Sequence, residues 1–355
     1  MIHKIALIIP NNQWFAPYLN LYTDILKKNS INYDVIYWNR DGSEMSTSIS
    51  YNHVSLSSNS LKRKIIEYIG FFKFARKIIK QKNYNKLIIF GSISSIFLFP
   101  TLFQFKRKYI IDFRDLSIEQ NVILFQIFQY LSKNSYCNVI SSPGFLHYLP
   151  KMKYLISHNI NFHAIGTDII NNKLFELSKK PIVILTIGGI RDFQSNRDII
   201  FSLANNKDFA LYFVGKGPAA KMLEEYVKRN NISNVHFKGY YCKEDEQKII
   251  KECTFLNIYY PKTKLHSSAI SNRFYNGILN NKPMIVTSGG IQGDLVSKYN
   301  LGIAISDCSN CSELLVKYLN DFKEDLFLKN RNLLLKNYMK DNLEFEKMLL
   351  NFSID

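Results

Sequence analysis

The run Ile182-Val183-Ile184-Leu185-Thr186-Ile187 closes on Gly188-Gly189-Ile190-Arg191. A short, nearly continuous apolar run ended by glycine, with no alternation of polar residues, marks a strand buried on both faces, as in a parallel sheet. A helical stretch follows, and residues 210–214 then repeat the pattern. Working outward, comparable runs occur at 5–9, 32–38, 87–90, 109–113 and 139–141, and again at 235–237, 254–259, 283–287 and 302–305. Strand-like runs alternating with helical stretches predict parallel sheets covered by helices. The runs fall into two sets separated by the polar stretch 166–180, and 355 residues suffice for two domains. The expected fold is therefore α/β, with two doubly wound Rossmann-like domains facing across a cleft. Residues 1–165 would form the first domain, 166–180 a linker, 181–335 the second domain and 336–355 a C-terminal helix. Ligands of such sheets bind beyond the carboxyl ends of the strands, so the loops after the runs are where chemistry is expected.

Composition narrows the partners. The 46 Lys and Arg against 29 Asp and Glu give a net charge of +17, which favours an anionic partner. No RNA- or DNA-binding motif accompanies that charge, so nucleic acid is not expected. Five cysteines, at 137, 242, 253, 308 and 311, are too few and too scattered for a disulfide framework, which suggests a reducing, cytoplasmic setting. Cys308-Ser309-Asn310-Cys311 has metal-like spacing, but no second pair or histidine cluster completes it, and no metal is expected. The N-terminus lacks the apolar core and cleavage site of a secretory signal. Residues 87–105 approach the length of a membrane span, yet Gly91-Ser92 and Pro100 interrupt them, so strand, turn and buried helix are expected there.

Three glycine-bearing loops follow successive strands of the second half: Gly188-Gly189-Ile190-Arg191, Val214-Gly215-Lys216-Gly217-Pro218 and Val235-His236-Phe237-Lys238-Gly239-Tyr240. Backbone amides and the Arg191 guanidinium at such a loop can meet a diphosphate, although glycine after a strand is also ordinary turn chemistry. None matches the dinucleotide fingerprint or a Walker loop, which disfavours NAD-dependent and P-loop chemistry. The most specific segment is Ser267-Ser268-Ala269-Ile270-Ser271-Asn272-Arg273-Phe274-Tyr275-Asn276-Gly277, followed by Asn281-Lys282-Pro283-Met284-Ile285-Val286-Thr287 and Gly289-Gly290. Small polar residues open a helix there, whose N-terminal amides can hold phosphate oxygens.

Taken in order, these elements resemble the C-terminal domain of glycosyltransferase family 4 and its relatives, and the resemblance covers roughly the C-terminal half. It implies the two-domain GT-B fold and transfer of a sugar from a nucleotide sugar, with UDP- or GDP-sugar as donor substrate and no cofactor or metal. By the family pattern Gly188, Gly189 and Gly215 line the donor, Arg191 contacts its diphosphate and Tyr240 lies near the base. Ser268, Ala269 and Ile270 would present amides to phosphate and sugar, with Asn272 and Asn276 on the helix that follows. Two acids of the family pattern are replaced here: Ser268 stands for one, and Asn276 for the ribose-binding glutamate. Asparagine still accepts a ribose hydroxyl but brings no charge. Gln194-Ser195-Asn196 occupies the place where members often carry a lysine.

The first half resembles the family more loosely. Tyr109-Ile110-Ile111-Asp112-Phe113-Arg114-Asp115 reads as a strand delivering two carboxylates and a guanidinium to its carboxyl end. Asp112 or Asp115 would act as general base toward an acceptor hydroxyl or orient the acceptor, with Arg114 beside them; an internal salt-bridge network is the competing reading. His158 would face the donor sugar, or else be structural. Residues 61–82 interleave Lys62, Arg63, Lys64, Lys73, Arg76 and Lys77 with Phe71, Phe72 and several isoleucines. That pattern suits a helix lying in an anionic membrane surface, basic residues on headgroups and aromatics in the acyl boundary; an ordinary domain helix with a solvated face is the competing reading. The expected partners are thus a nucleotide sugar, a lipid-linked saccharide acceptor and an anionic membrane, and the expected location is peripheral, at the inner face of the plasma membrane. The function expected is a transferase of bacterial surface polysaccharide synthesis (capsule, lipopolysaccharide O-antigen or exopolysaccharide). The alternatives are a non-catalytic nucleotide-sugar or partner-binding relative, or an epimerase or hydrolase on the same fold.

Overall fold

The computed structural model describes residues 4–55, 60–117, 121–162 and 181–354; the expected linker at 166–180 lies outside the described residues. The chain divides into two compact units, Met1–Asn161 with Met339–Asp355, and Phe162–Tyr338.

The first unit holds a seven-stranded sheet built from β1 (Ile5–Ile9), β2 (Tyr33–Asn39), β3 (Ser50–Asn52), β4 (Lys86–Phe90), β5 (Tyr109–Phe113), β6 (Cys137–Ile140) and β7 (Leu155–Ile156). Every pairing is parallel, in the order β3-β2-β1-β4-β5-β6-β7. Residues of β1, β4 and β5 are buried throughout, which is why their sequences run apolar without alternation. Helices α1 (Leu19–Lys28), α2 (Leu61–Lys82), α3 (Ser92–Phe97), α4 (Phe99–Gln104) and α5 (Val122–Asn134) connect the strands. The stretch 87–105 is thus strand β4, a turn at Gly91 with φ +91°, and two short helices. No helix among the described residues is long and apolar enough to cross a membrane.

The structure corrects the expected membrane face of α2. Phe71 and Phe72 are buried, Phe71 stacked on Trp38 (5.9 Å, 16°) and Phe72 on Phe97 (5.2 Å, 6°). Together with Ala75, Ile78 and Ile79 they form the helix's inward stripe at three- to four-residue spacing. Arg76 is half-buried and donates to the Phe97 carbonyl, so it too is turned inward. Lys62, Arg63, Lys64, Lys73 and Lys77 are exposed, along with Ile65, Ile66 and Ile69.

The second unit holds β8 (Ile182–Ile187), β9 (Phe209–Val214), β10 (Val235–Gly239), β11 (Phe255–Ile258), β12 (Met284–Thr287) and β13 (Gly302–Ile305). They form a parallel six-stranded sheet in the order β10-β9-β8-β11-β12-β13. Its helices are α6 (Phe193–Leu203), α7 (Ala220–Arg229), α8 (Glu246–Lys251), α9 (Lys264–Ser268), α10 (Asn272–Leu279), α11 (Ile291–Tyr299) and α12 (Cys311–Asn320). One core joins β8 and β9 to Leu203 of α6, Leu223 of α7 and Leu315 of α12; Cys308 and Cys311 are buried in it. The last helix, α13 (Glu324–Ile354), contributes Phe345, Leu349 and Phe352 to the core of the first unit, Phe345 meeting the Tyr22 ring edge-on at 4.9 Å.

Buried cations close helix ends. Lys282, 1% exposed, donates to the carbonyls of Lys251 (2.8 Å) and Cys253 (2.6 Å) at the end of α8. Arg331, fully buried, donates to Ile278 (2.6 Å) and Leu279 (3.4 Å) at the end of α10. The negative end of a helix dipole and its orphan carbonyls give a desolvated cation partners it would otherwise lack. Burial still tells, lowering Arg331 to about 10 and moving Lys282 in the same direction.

Candidate functional site

Each sheet has one point where the chain's direction of travel reverses. In the second unit the strands proceed from β8 outward to β9 and β10, then return to β11 on the other side of β8. The loops after β8 and β11 therefore diverge and leave a crevice at their carboxyl ends, the place where open α/β sheets bind ligands. Gly188 and Gly189 are on its β8 side. Gly188 has φ +91°, in the left-handed region, and the Tyr241 hydroxyl is its nearest neighbour, 3.9 Å from where a Cβ would stand. The β9 loop packs hard against this one: a Cβ on Gly215 would stand 2.0 Å from the Gly188 carbonyl oxygen, and one on Gly217 2.1 Å from that of Ile190. Glycine at these two positions is thus a requirement of backbone approach.

Arg191 is exposed, and its Nε lies only 3.1 Å from the place of a Cβ on Gly189, so its side chain curls back over the glycine loop. The Gly189 amide makes no internal hydrogen bond among the described residues, and neither does that of Ile270, between α9 and α10. The Ala269 amide, by contrast, donates to the Leu265 carbonyl (2.9 Å) and caps α9. Ser268 is 3% exposed and turns its hydroxyl back to the Lys264 carbonyl (2.8 Å). Of the three residues expected to present amides here, Ile270 has one with no internal partner among the described residues, whereas the Ala269 amide is taken up in capping α9, which corrects that expectation. Helix α10 begins at a Ser271 cap, whose hydroxyl accepts from the Phe274 amide and donates to Gln292. Asn272 is exposed on its first turn and Asn276 half-buried on its second. Tyr240, after β10, is 71% exposed beneath the ammonium of Lys216 (5.2 Å).

In the first unit the reversal lies between β1 and β4. Asp112, at the end of β5, is fully buried and takes a bidentate contact from Arg114 (2.8 to 3.0 Å) and a hydrogen bond from the Tyr22 hydroxyl (2.7 Å). Arg114 also reaches Ser157 Oγ (3.3 Å) and lies over the Tyr18 ring (4.5 Å). With its oxygens committed in this way, Asp112 is not placed to take an acceptor's proton; the internal ion-pair reading holds for Asp112 and Arg114. Burial raises the Tyr18 phenol well above its usual range; Arg114 opposes this, and Asp112 and Asp115 add to it. Asp115 itself is exposed. His158, 1% exposed, bonds through Nε2 to Asp341 (3.0 Å), and its amide donates to Asn342 (2.8 Å). It fastens the end of this unit's sheet to the C-terminal helix, which overturns its expected place facing a sugar. Burial lowers its pKa, with Asp341 opposing.

No family model matches the sequence, and no curated protein matches it. Solved structures do. Sucrose-phosphate synthase from Thermosynechococcus elongatus superposes with a TM-score of 0.71 at 14% identity over 98% of each chain. HepE from Anabaena, solved with UDP and glucose, gives 0.64 at 12% identity over 98% of this chain and 99% of that one. The lipopolysaccharide outer core galactosyltransferase WaaB gives 0.63 at 15% identity over 98% and 99%. The fold is GT-B. At such identities the likeness establishes architecture, while function has to be argued from the site.

Two residues of this GT-B chain's crevice escaped the sequence reading. Arg273, on the first turn of α10 and 8% exposed, donates to the carbonyls of Ile187, of Gly189 (2.9 Å) and of Asn257 on β11 (3.2 Å). One guanidinium thus ties the two diverging strands together beneath the crevice, using the fixed fork of donors that distinguishes arginine from lysine. His266 stacks on Tyr260 (5.1 Å, 17°), and its Nδ1 meets Thr263 Oγ1 (3.0 Å). Burial lowers its pKa, Asp192 opposing and Arg191 adding to the effect. The available signal was a cation inside the otherwise apolar helical run Arg273-Phe274-Tyr275, which needs buried partners if that helix packs on a sheet.

Proposed function

We propose that this protein is a metal-independent glycosyltransferase that moves a sugar from a nucleoside-diphosphate sugar to a saccharide acceptor during assembly of a bacterial surface polysaccharide. The observation that carries the reading is the β8/β11 crevice. It combines a tight glycine loop, an exposed guanidinium curled over that loop, two amides without internal partners and the half-buried Asn276. Preorganised donors of this kind stabilise a leaving diphosphate. In the reaction the acceptor oxygen bonds to the anomeric carbon, the bond from that carbon to the phosphate oxygen breaks, and the diphosphate leaves with the electron pair. The acceptor's proton passes to a carboxylate, for which Asp115, exposed in the first unit, is the candidate. The complex of HepE with UDP and glucose and the lipopolysaccharide galactosyltransferase activity of WaaB support a nucleotide sugar and a polysaccharide context.

The exposed stripe of α2, with Lys62, Ile66, Ile69, Lys73 and Lys77 at helical spacing, supports peripheral attachment to an anionic, cytoplasm-facing membrane and hence a lipid-linked acceptor. Co-sedimentation with anionic but not neutral vesicles is expected; equal recovery with both would remove the membrane from the proposal. A second reading, a non-catalytic binder of nucleotide sugars, is favoured by Ser268 and Asn276, which stand where the resemblance calls for acids.

Calorimetry with UDP, GDP, CMP, dTDP and their common sugars tests the donor site, with Arg191→Ala as control. One nucleotide should bind saturably, and the variant should bind it about tenfold more weakly, the worth of a charge-assisted contact. No binding by any nucleotide would refute the site. Binding without turnover on any acceptor would favour the non-catalytic reading, and turnover without an acceptor an epimerase or hydrolase.

A further inference from the structure

The loop after β1 carries an aromatic side chain whose exposure the core does not explain. The chain has two tryptophans. Trp38 is fully buried, whereas Trp14 is 61% exposed, with Phe15 beside it at 49%. The loop stands directly beyond the carboxyl end of β1, on one side of the first unit's strand-order reversal.

Trp14 is exposed but its backbone is well anchored. The Trp14 amide donates to Glu44 Oε1 (3.1 Å), and the Phe15 ring meets the indole edge-on at 5.3 Å and 78°. The Phe15 amide donates to the Asn12 carbonyl (3.2 Å). Asn12, 2% exposed, is fastened in turn through Nδ2 to Asn39 Oδ1 (3.0 Å) and Asp41 Oδ1 (2.7 Å), and its Oδ1 accepts from the Arg40 amide (3.0 Å). The loops after β1 and β2 are thereby stitched into one support, and the indole face is presented with little further ordering to be done on binding.

We propose that Trp14 is the stacking platform of an acceptor subsite on the first unit and that its ligand is a saccharide. The apolar face of a pyranose ring covers an indole, and the hydroxyls around that ring require hydrogen-bonding groups at the rim. The same loop pair carries Asn11 and Gln13 beside Trp14 in sequence, Glu44 on the Trp14 amide, and Asp41 bonded to Asn12 and Ser43. An anionic lipid surface is the poorer occupant, because Asp41 and Glu44, fixed within this same loop pair, would repel its headgroups. The inference rests on the transferase reading for calling its ligand the acceptor.

Acrylamide quenching of tryptophan fluorescence in the full chain tests it. Trp14 is the quenchable residue and Trp38 the protected background. The probes are methyl glycosides and disaccharides of glucose, galactose and N-acetylglucosamine, with anionic and neutral phospholipid vesicles as the competing occupants. A saccharide should protect Trp14 saturably, lowering the quenching constant at least twofold. In saturation-transfer NMR, Trp14→Phe should keep that binding and Trp14→Ala should weaken it about tenfold, as loss of one aromatic stack requires. Protection by anionic vesicles and by no saccharide would overturn the proposal in favour of a membrane contact. Protection by neither would overturn it outright, as would a Trp14→Ala variant with unchanged saccharide affinity. Nucleotide affinity of the same wild-type sample, measured by calorimetry, reads the donor crevice separately, so the two failures can be told apart.

Discussion

Replacing Arg273 by alanine should loosen the donor crevice from below. The side chain donates to Ile187, Gly189 and Asn257, and it is 8% exposed, so water cannot simply take its place. Each hydrogen bond to a charged donor is worth about 1.5–3 kcal/mol, and the three are not independent, so a loss of about 3–5 kcal/mol is expected. Because the chain forms two units, a single global unfolding curve is a poor instrument, and native-state hydrogen exchange reports local stability instead. At 1.4 kcal/mol per decade, protection of peptides covering β8 and β11 should fall by roughly 10²- to 4 × 10³-fold, while β1 in the first unit keeps its own protection. Arg273→Lys, with charge but no fork, should recover only part of the loss. Nucleotide affinity should fall in parallel, since Gly188 and Gly189 lose their support. If Arg273→Ala changed β8 protection less than about fivefold, equivalent to ~1 kcal/mol, the clamp reading would be wrong.

Other perturbations follow from the same geometry. Gly217→Ala sets a methyl 2.1 Å from the Ile190 carbonyl and should cost about 3 kcal/mol by forcing backbone to move. Gly239→Ala meets nothing within 4 Å and has only its φ of +69° to strain, so about 1 kcal/mol is expected; native-state hydrogen exchange of second-unit peptides separates the two. Phe72→Ala should destabilise the first unit by about 3–5 kcal/mol, read from native-state hydrogen exchange of its strands. Ile66→Ser, at a residue 67% exposed, should leave stability within about 0.5 kcal/mol and weaken recovery with anionic vesicles. Burial lowers the pKa of His158 below the 6.5 of an unfolded histidine, so the unfolded chain takes up a proton that the native one resists. Stability should therefore be lost as pH falls from 6.5 through the lowered native pKa, and His158→Gln should flatten that part of the pH profile of first-unit stability read by hydrogen exchange.

Among the described residues, the strands at the middle of each sheet were the most legible, because a strand buried between helix layers must be apolar at nearly every position, which leaves a run that needs no partner to be recognised. The two shortest, β3 with the polar sequence Ser50-Tyr51-Asn52 and β7 with two residues, lie at or near the sheet edges and leave no such run. The glycine loops were equally legible, since Gly215 and Gly217 answer to a local backbone approach that spacing preserves. Helix α2 was legible as a helix but not as a surface. Phe71 and Phe72 are consecutive, about 100° apart, and only the stack with Trp38 and Phe97 shows that both face inward.

What the sequence determined by itself was periodicity: parallel strands, intervening helices, two sets of them, and loops with glycine where backbones meet. Which charges do chemistry and which hold the fold was decided by tertiary structure alone. In sequence Asp112 reads as a general base or an ion-pair partner, and His158 as facing a sugar or structural; in the folded unit Asp112 is committed to Arg114 and Tyr22, and His158 to Asp341, 183 residues away. Arg273 went the other way, an unremarked helical residue that becomes the joint between β8 and β11. A side chain's partners are set by which strands lie side by side, and that adjacency is written across the whole chain, not in the neighbourhood of any one residue.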